Sequence, residues 1–267
     1  MLASAGLVIN SSVRAEETPG SATATPPPAP PKTWESSASL NLTATSGNSE
    51  SLLFGGSILA KKKWSRNELN LGADLTYGQT TTENVAGGQL IKTKSTSAQN
   101  YGAFLQYNRL VWEDRGYLLG RADGRQDKVA DVIYRFTLSP GAGYYFIRDK
   151  SLELSGEAGP GIAFEKLKGA TETDYFTVRL AEKLKWIIND RSRLYQDLEY
   201  LPRVDNFNDF VVNASIKVET DITKSLALGV TLQDTYRSEP ALIPGTMPTL
   251  HRKKNDLKIL AGVTYKF

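Results

Sequence analysis

From Trp34 to Phe267 the apolar residues of this chain recur at every second position, in one stripe after another. In the last twelve residues, Leu257, Ile259, Ala261, Val263, Tyr265 and Phe267 share one face, and Lys258, Leu260, Gly262, Thr264 and Lys266 share the other. Period two means a β-strand, because successive side chains of a pleated strand point to opposite faces. No run of 18 or more apolar residues occurs, which argues against a transmembrane helix. It leaves a transmembrane barrel open, since barrel strands need be apolar on one face only. A strand that alternates up to an aromatic last residue needs a partner, and a closed barrel supplies one by sealing its last strand against its first.

The stripes run Ala38 to Ala44, Leu52 to Ala60, Leu69 to Tyr77, Tyr101 to Tyr107, Leu118 to Ala122 and Val132 to Phe146. They continue Leu152 to Phe164, Phe176 to Ile188, Leu194 to Tyr200, Phe210 to Val218, Leu226 to Leu232 and Leu257 to Phe267. Twelve stripes fit the even strand number of bacterial single-chain barrels. Several exceed the about 5–6 residues of a soluble strand and reach the about 9–11 that a tilted strand needs to cross hydrocarbon. Aromatics at stripe ends (Tyr134, Tyr144, Phe146, Phe176, Trp186, Tyr265 and Phe267) predict girdles at the two headgroup levels. Pro140 and Pro160 lack a ladder donor, so each needs a bulge or an unbonded stretch.

Loop lengths test the same reading. With a periplasmic N-terminus, connections after even strands are periplasmic and short. Lys63–Arg66, Glu113–Arg115, Arg148–Lys150, Asp190–Ser192 and Thr223–Ser225 are all tight and charged. After odd strands, Thr80–Lys92 and Ser238–Lys254 read as long external loops, and Leu167–Thr173 and Arg203–Asn208 as moderate ones. Ser46–Ser49 and Asp127-Lys128 are short exceptions. The predicted fold class is therefore all-β: an antiparallel up-and-down transmembrane β-barrel of about 12 strands over residues 34–267.

Ahead of it, Met1–Ala15 ends in Val-Arg-Ala before Glu16-Glu17, like the tail of a secretory signal peptide truncated by a late start, because the basic n-region is missing. Residues 16–33 hold Pro19, Pro26, Pro27, Pro28, Pro30 and Pro31 and read as an extended tether.

Catalytic apparatus is sparse. Without cysteine there are no disulfides, thiolate metal sites or cysteine nucleophiles. A single histidine, His251, rules out a site of several imidazoles, and beside Arg252, Lys253 and Lys254 it reads as an exposed loop residue. The formal net charge of +3 is too small to imply a nucleic-acid partner. No cofactor or metal is expected, and the chain reads as non-enzymatic.

The remaining signal is charge on the predicted inward face. Arg121, Asp123, Arg125, Arg135, Glu153, Glu157, Glu165, Arg179, Lys183, Lys185, Asp197, Glu199, Lys217 and Glu219 all occupy such positions. They line a water-filled path or pair across the interior and plug it. Barrel size leaves both open, because about eight strands fill with side chains and about 16–18 leave a channel.

Three segments carry a family resemblance: Thr45-Ser46-Gly47-Asn48-Ser49-Glu50, Tyr195 to Pro202 (YQDLEYLP), and Gly262 to Phe267. With them the chain from Trp34 resembles the YdiY-like salt-induced outer membrane proteins, a domain of unknown function. The first segment is similar to that family's Gly-Asn-Thr-Glu hairpin, with Ser49 in place of Thr. The resemblance implies an outer-membrane barrel of a Gram-negative-type bacterium and no catalytic residues. Tyr265 and Phe267 look like the signal read by the barrel-assembly machinery, a feature shared by many such barrels.

The expectation is a monomeric barrel in outer-membrane lipid, acting as a narrow ion or small-solute channel or as an envelope-stress structural protein. The alternatives are a soluble ligand-binding β-barrel and a lipid-acting barrel enzyme, which would need a Ser or Asp beside His251.

Overall fold

The computed structural model describes residues 34–45, 49–86, 89–243 and 251–267. The signal-like segment 1–15, the tether 16–33, and the hairpin tip 46–48 lie outside the described residues. Twelve strands follow in order: β1 (Trp34–Thr45), β2 (Ser49–Trp64), β3 (Asn67–Ala86), β4 (Gln89–Val111), β5 (Gly116–Asp127) and β6 (Val132–Arg148). They continue with β7 (Leu152–Leu167), β8 (Thr173–Ile187), β9 (Ser192–Pro202), β10 (Phe210–Asp221), β11 (Leu226–Arg237) and β12 (Asn255–Lys266). Each strand is antiparallel to its chain neighbours, and β1 pairs with β12 to close the barrel. Closure satisfies every ladder without leaving an edge.

The apolar stripes face outward. Leu40, Leu42, Ile58, Leu118, Phe176, Leu228, Val230 and Ile259 are all exposed on the barrel's outer surface. In a soluble protein such a belt would be an aggregation surface; on a closed barrel it is what hydrocarbon wets. Aromatics bound it at both ends. At the short-turn end lie Trp64 beside Tyr107, Tyr144 beside Phe146, Trp186, and Tyr265 stacked on Phe267. At the long-loop end lie Phe136 beside Phe164, Phe176, and the trio Tyr200, Phe210 and Tyr236. Phe176 and Trp186 mark the two levels on β8. Ten steps at about 3.3 Å make about 33 Å of strand, or about 25 Å across the membrane at a tilt of about 40°. The belt matches the hydrocarbon thickness that such barrels present, and this chain is an outer-membrane β-barrel.

Turns 65–66, 112–115, 149–151, 188–191 and 222–225 are short, whereas 203–209 and 238–254 are longer. Two sequence expectations need correction. Thr80–Lys92 is not a loop: β3 runs on to Ala86 and β4 starts at Gln89, with Thr80 opposite Ser95 and Thr82 opposite Thr93. A polar stretch without an apolar face reads as loop, yet β-branched threonines suit a pleated ladder that has left the membrane. Val132, placed on the lipid stripe by simple alternation, is 3% exposed, while Ile133 and Tyr134 are out. The ladder to β7 shifts register between Val132 and Tyr134, and one extra residue reverses which side chains face inward.

The β1–β12 seam is the shortest ladder, with five residue pairs from Ser37↔Lys266 to Asn41↔Gly262, against twelve between β1 and β2. Phe267 extends it, donating its N–H to the Ser36 carbonyl at 3.0 Å and accepting from the Ser36 N–H at 3.3 Å. A β-carbon on Gly262 would collide with the Leu40 carbonyl oxygen and lie 2.7 Å from the Asn41 Cα. Gly120 has nothing within 4 Å of the same position. Gly262→Val should therefore leave the seam open and abolish the heat-modifiable folded band on gels, while Gly120→Ala retains it.

Candidate functional site

The inward face is polar and unevenly filled. On β4 to β9 it carries long side chains; on β1 to β3 and β11 it carries mainly small ones, such as Ser37, Ser39, Asn41, Gly55, Ser57 and Gly229. The asymmetry sets the site's geometry.

Its centre is Glu157 on β7, whose side chain is 1% exposed. One carboxylate oxygen accepts from Arg179 Nη1 at 2.7 Å; the other accepts from Gln106 Nε2 at 2.8 Å, Tyr117 Oη at 2.9 Å and Lys183 Nζ at 3.0 Å. Gln106 lies on β4 and Lys183 on β8, four strands apart, so these bonds bridge the interior. Gln106 also accepts from Arg121 and Lys183 at 3.2 Å each. From Arg179 the network runs to Glu199 at 2.6 Å and on to Asn213 at 3.1 Å. Arg121 lies over the Phe104 ring and 3.5 Å from Asp123.

Further charged groups flank this centre: at the turn end of β2 and β3, buried Glu68 meets Lys63 at 3.1 Å, Lys61 at 3.9 Å and Arg148 of β6 at 3.8 Å. Towards the loop end, Glu165 takes Arg237 of β11 at 2.8 Å and Arg135 at 3.7 Å, while Tyr175 bonds both Arg135 and Glu165. Beyond it, Asp131 is clamped by Arg252 Nε and Nη2, each at 2.7 Å, with Lys168 at 3.7 Å. These bonds tie the 238–254 connection to the β5–β6 turn. Towards the turn end, Glu219 and Asp221 share Lys266, at 2.6 and 2.5 Å, and Arg193 holds Asp221 at 2.7 Å. At the same end Leu110, Tyr117, Leu119 and Tyr145 form a small apolar core inside the barrel.

The predicted residues thus fall into separate groups. Arg121, Asp123, Glu157, Arg179, Lys183 and Glu199 join the central network, Arg135 and Glu165 the loop-end group, and Lys217 (2.6 Å from Glu219) and Glu219 the turn-end group. Glu153 and Lys185 are opposite each other in register, and Asp197 is opposite Lys183. Arg125 is exposed and opposite Arg135. Alternation missed the partners: Gln106, Tyr117, Arg237 and Lys266 occupy inward positions, but nothing in spacing marks them as one another's neighbours. Inward Asp74, Asp197 and Gln233 stay exposed, as does Leu59 at 48%. Water reaches the interior on the small-residue side.

His251 directs Nδ1 at the Pro240 carbonyl oxygen, 3.1 Å away. Outside the membrane, Arg203 grips Asp205 through two bonds of 3.0 and 2.8 Å, which hold that exposed carboxyl below its ordinary range. Among the described residues no group of three or more His, Cys, Asp or Glu could hold a metal ion.

Removing one member of a buried ionic network leaves its partners charged and unpaired, at a cost of about 3–5 kcal/mol. Glu157→Ala should lower unfolding stability in lipid vesicles by about that much, read by urea titration. Adding Lys183→Met, which removes one stranded cation, should recover part of the loss.

Comparison with solved structures places this geometry among outer-membrane barrels. The NanC porin aligns at a TM-score of 0.52 and 8% identity, over 86% of this chain and all of that one. The COG4313 outer membrane channel of Pseudomonas putida F1 aligns at 0.46 and 11% identity, over 88% of this chain and 95% of its own. The outer membrane channel DcaP of Acinetobacter baumannii aligns at 0.41 and 9%, over 88% and 95%. None of the curated proteins matches the sequence. A family model described as "Protein of unknown function, DUF481" matches residues 38–267, and with nearly all of the barrel inside that match the chain belongs to this family.

Proposed function

We propose that this chain is a non-enzymatic outer-membrane barrel holding a narrow, eccentric path for ions or small solutes. The single observation behind the reading is the uneven interior. Bulky charged side chains on β4 to β9 are largely bonded to one another, while small polar residues on β1 to β3 leave Asp74 in water, and Asp197 of β9 is exposed at the edge of the bulky sector. Path-lining charges bias which ion passes, and the fourteen inward residues named from the sequence belong to this wall. The loop end faces outward from the cell and the turn end faces the periplasm, as in barrels with short periplasmic turns. Residues 1–15 act as an export signal and 16–33 as a tether. Within the wider family the chain is of the YdiY-like kind and works as a monomer.

A lipid-acting enzyme is disfavoured because His251 spends its Nδ1 on a backbone carbonyl rather than on an acidic or hydroxyl side chain. A sealed structural barrel is the second reading, favoured by the bridges Gln106–Glu157 and Arg237–Glu165 across the interior.

Refolded protein in planar bilayers separates the two. The expected result is small, stable conductance steps, enlarged in Arg179→Ala, and a reversal potential shifted towards anions in Asp74→Asn. Insertion without steps in the wild type and in Arg179→Ala would favour the sealed barrel.

Tyr265 and Phe267 are proposed as the contact with the assembly machinery. Deleting Phe267 removes two seam hydrogen bonds and an aromatic anchor, and should reduce folded barrel in cells. Because that deletion also weakens closure, refolding the purified variant into detergent separates the effects: a normal yield there, with low levels in cells, points to assembly.

A further inference from the structure

Charged side chains on the outer face lie beside a girdle at Lys62, two residues from Trp64, and at Asp234, two residues from Tyr236, but Glu182 lies farther in. Along β8 the outward positions read Phe176, Val178, Leu180, Glu182, Leu184 and Trp186. Glu182 faces the lipid four residues from the girdle tryptophan Trp186, about 13 Å along the strand at about 3.3 Å per residue. Gln196 of β9, also outward, donates its Nε2 to a Glu182 carboxyl oxygen at 3.3 Å. Ionisable side chains at this depth are expensive and mark functional positions by default.

The surface around it is not a flat sheet. Ala142, Gly156 and Ala158 place three small outward residues side by side on β6 and β7, with Gly156 in register with Glu182. The Phe146 ring lies over Gly156, 2.8 Å from where a β-carbon would stand, and Leu180, Leu198 and Tyr200 also line the groove. The result is a groove of about 500 Å³ with Glu182 in its wall. That volume lies within the about 300–1,000 Å³ of small-molecule sites, which are typically apolar with a few placed polar groups. Any acyl chain could fill the apolar floor, but a plain chain leaves the Glu182 carboxyl with a single donor. A bound group with a positive charge and several N–H donors completes it.

We propose that this lipid-facing groove binds a single-chain amphiphile carrying a primary ammonium, with the chain along Ala142, Ala158 and Leu180 and the ammonium on Glu182. The site is independent of whether the interior conducts.

The test is native mass spectrometry of the barrel released from detergent micelles, with hexadecylamine and hexadecanoic acid as probes. Expected is a one-to-one amine adduct that outcompetes the acid and weakens at least tenfold in Glu182→Leu. Ala158→Leu, which fills the floor and keeps the carboxyl, should weaken it similarly; heat-modifiability establishes that both variants are folded. Equal binding of amine and acid, no adduct at all, or an adduct unchanged in Glu182→Leu would overturn the proposal. Dimers lost in Ala158→Leu would also overturn it, by making the groove a contact between copies of this chain.

Discussion

The structure depends on one requirement: in hydrocarbon no water is available to satisfy a backbone N–H or C=O, so every strand must have a partner on both sides. A sheet meets this only by closing on itself. The β1–β12 seam is where that condition is met last and with fewest pairs, five in register with Phe267 adding two more hydrogen bonds. At Gly262 a β-carbon would collide with the Leu40 carbonyl oxygen, so a side chain there has nowhere to go. The remaining ladders join consecutive strands, most of them tied by a short connection. The seam is the long-range element, joining residues more than two hundred positions apart.

Closure creates two solvents for one sheet, and the alternation of side chains sorts the sequence between them. Outside, apolar residues and aromatic rings meet lipid without needing to pack against one another. Inside, most charged groups of the crowded sector between β4 and β9 are paired. Glu157 shows the outcome: four donors converge on one carboxylate whose side chain is 1% exposed. Such networks contribute little net stability relative to an apolar core, but losing one member strands the others. They hold the bulky sector in one arrangement and leave the remaining space beside the small residues of β1 to β3. Glu182 is a counterexample on the outer face. It breaks the sorting rule in a place where small neighbours leave room beside it.

Closed barrels of this kind are built alike at very low identity. The NanC porin shares the architecture at 8% identity, so the shared part is the alternation and the closure rather than particular side chains. What distinguishes this chain is the content of its interior and the lipid-facing groove beside Glu182.

The strand number, the antiparallel order and the outward stripes were legible in the sequence, because each follows from local periodicity and loop length. Local rules failed where a single residue changes register, as at Val132, and where polar strands continue beyond the membrane, as at Thr80 to Lys92. Contacts across the barrel were not legible at all. That Gln106 would meet Glu157, Arg237 would meet Glu165, and Arg252 would reach Asp131 depends on the stagger and diameter of the closed sheet. Those are properties of the whole ring, and no window of sequence contains them. Period two determined which solvent each side chain would face; only closure decided which side chains would face one another.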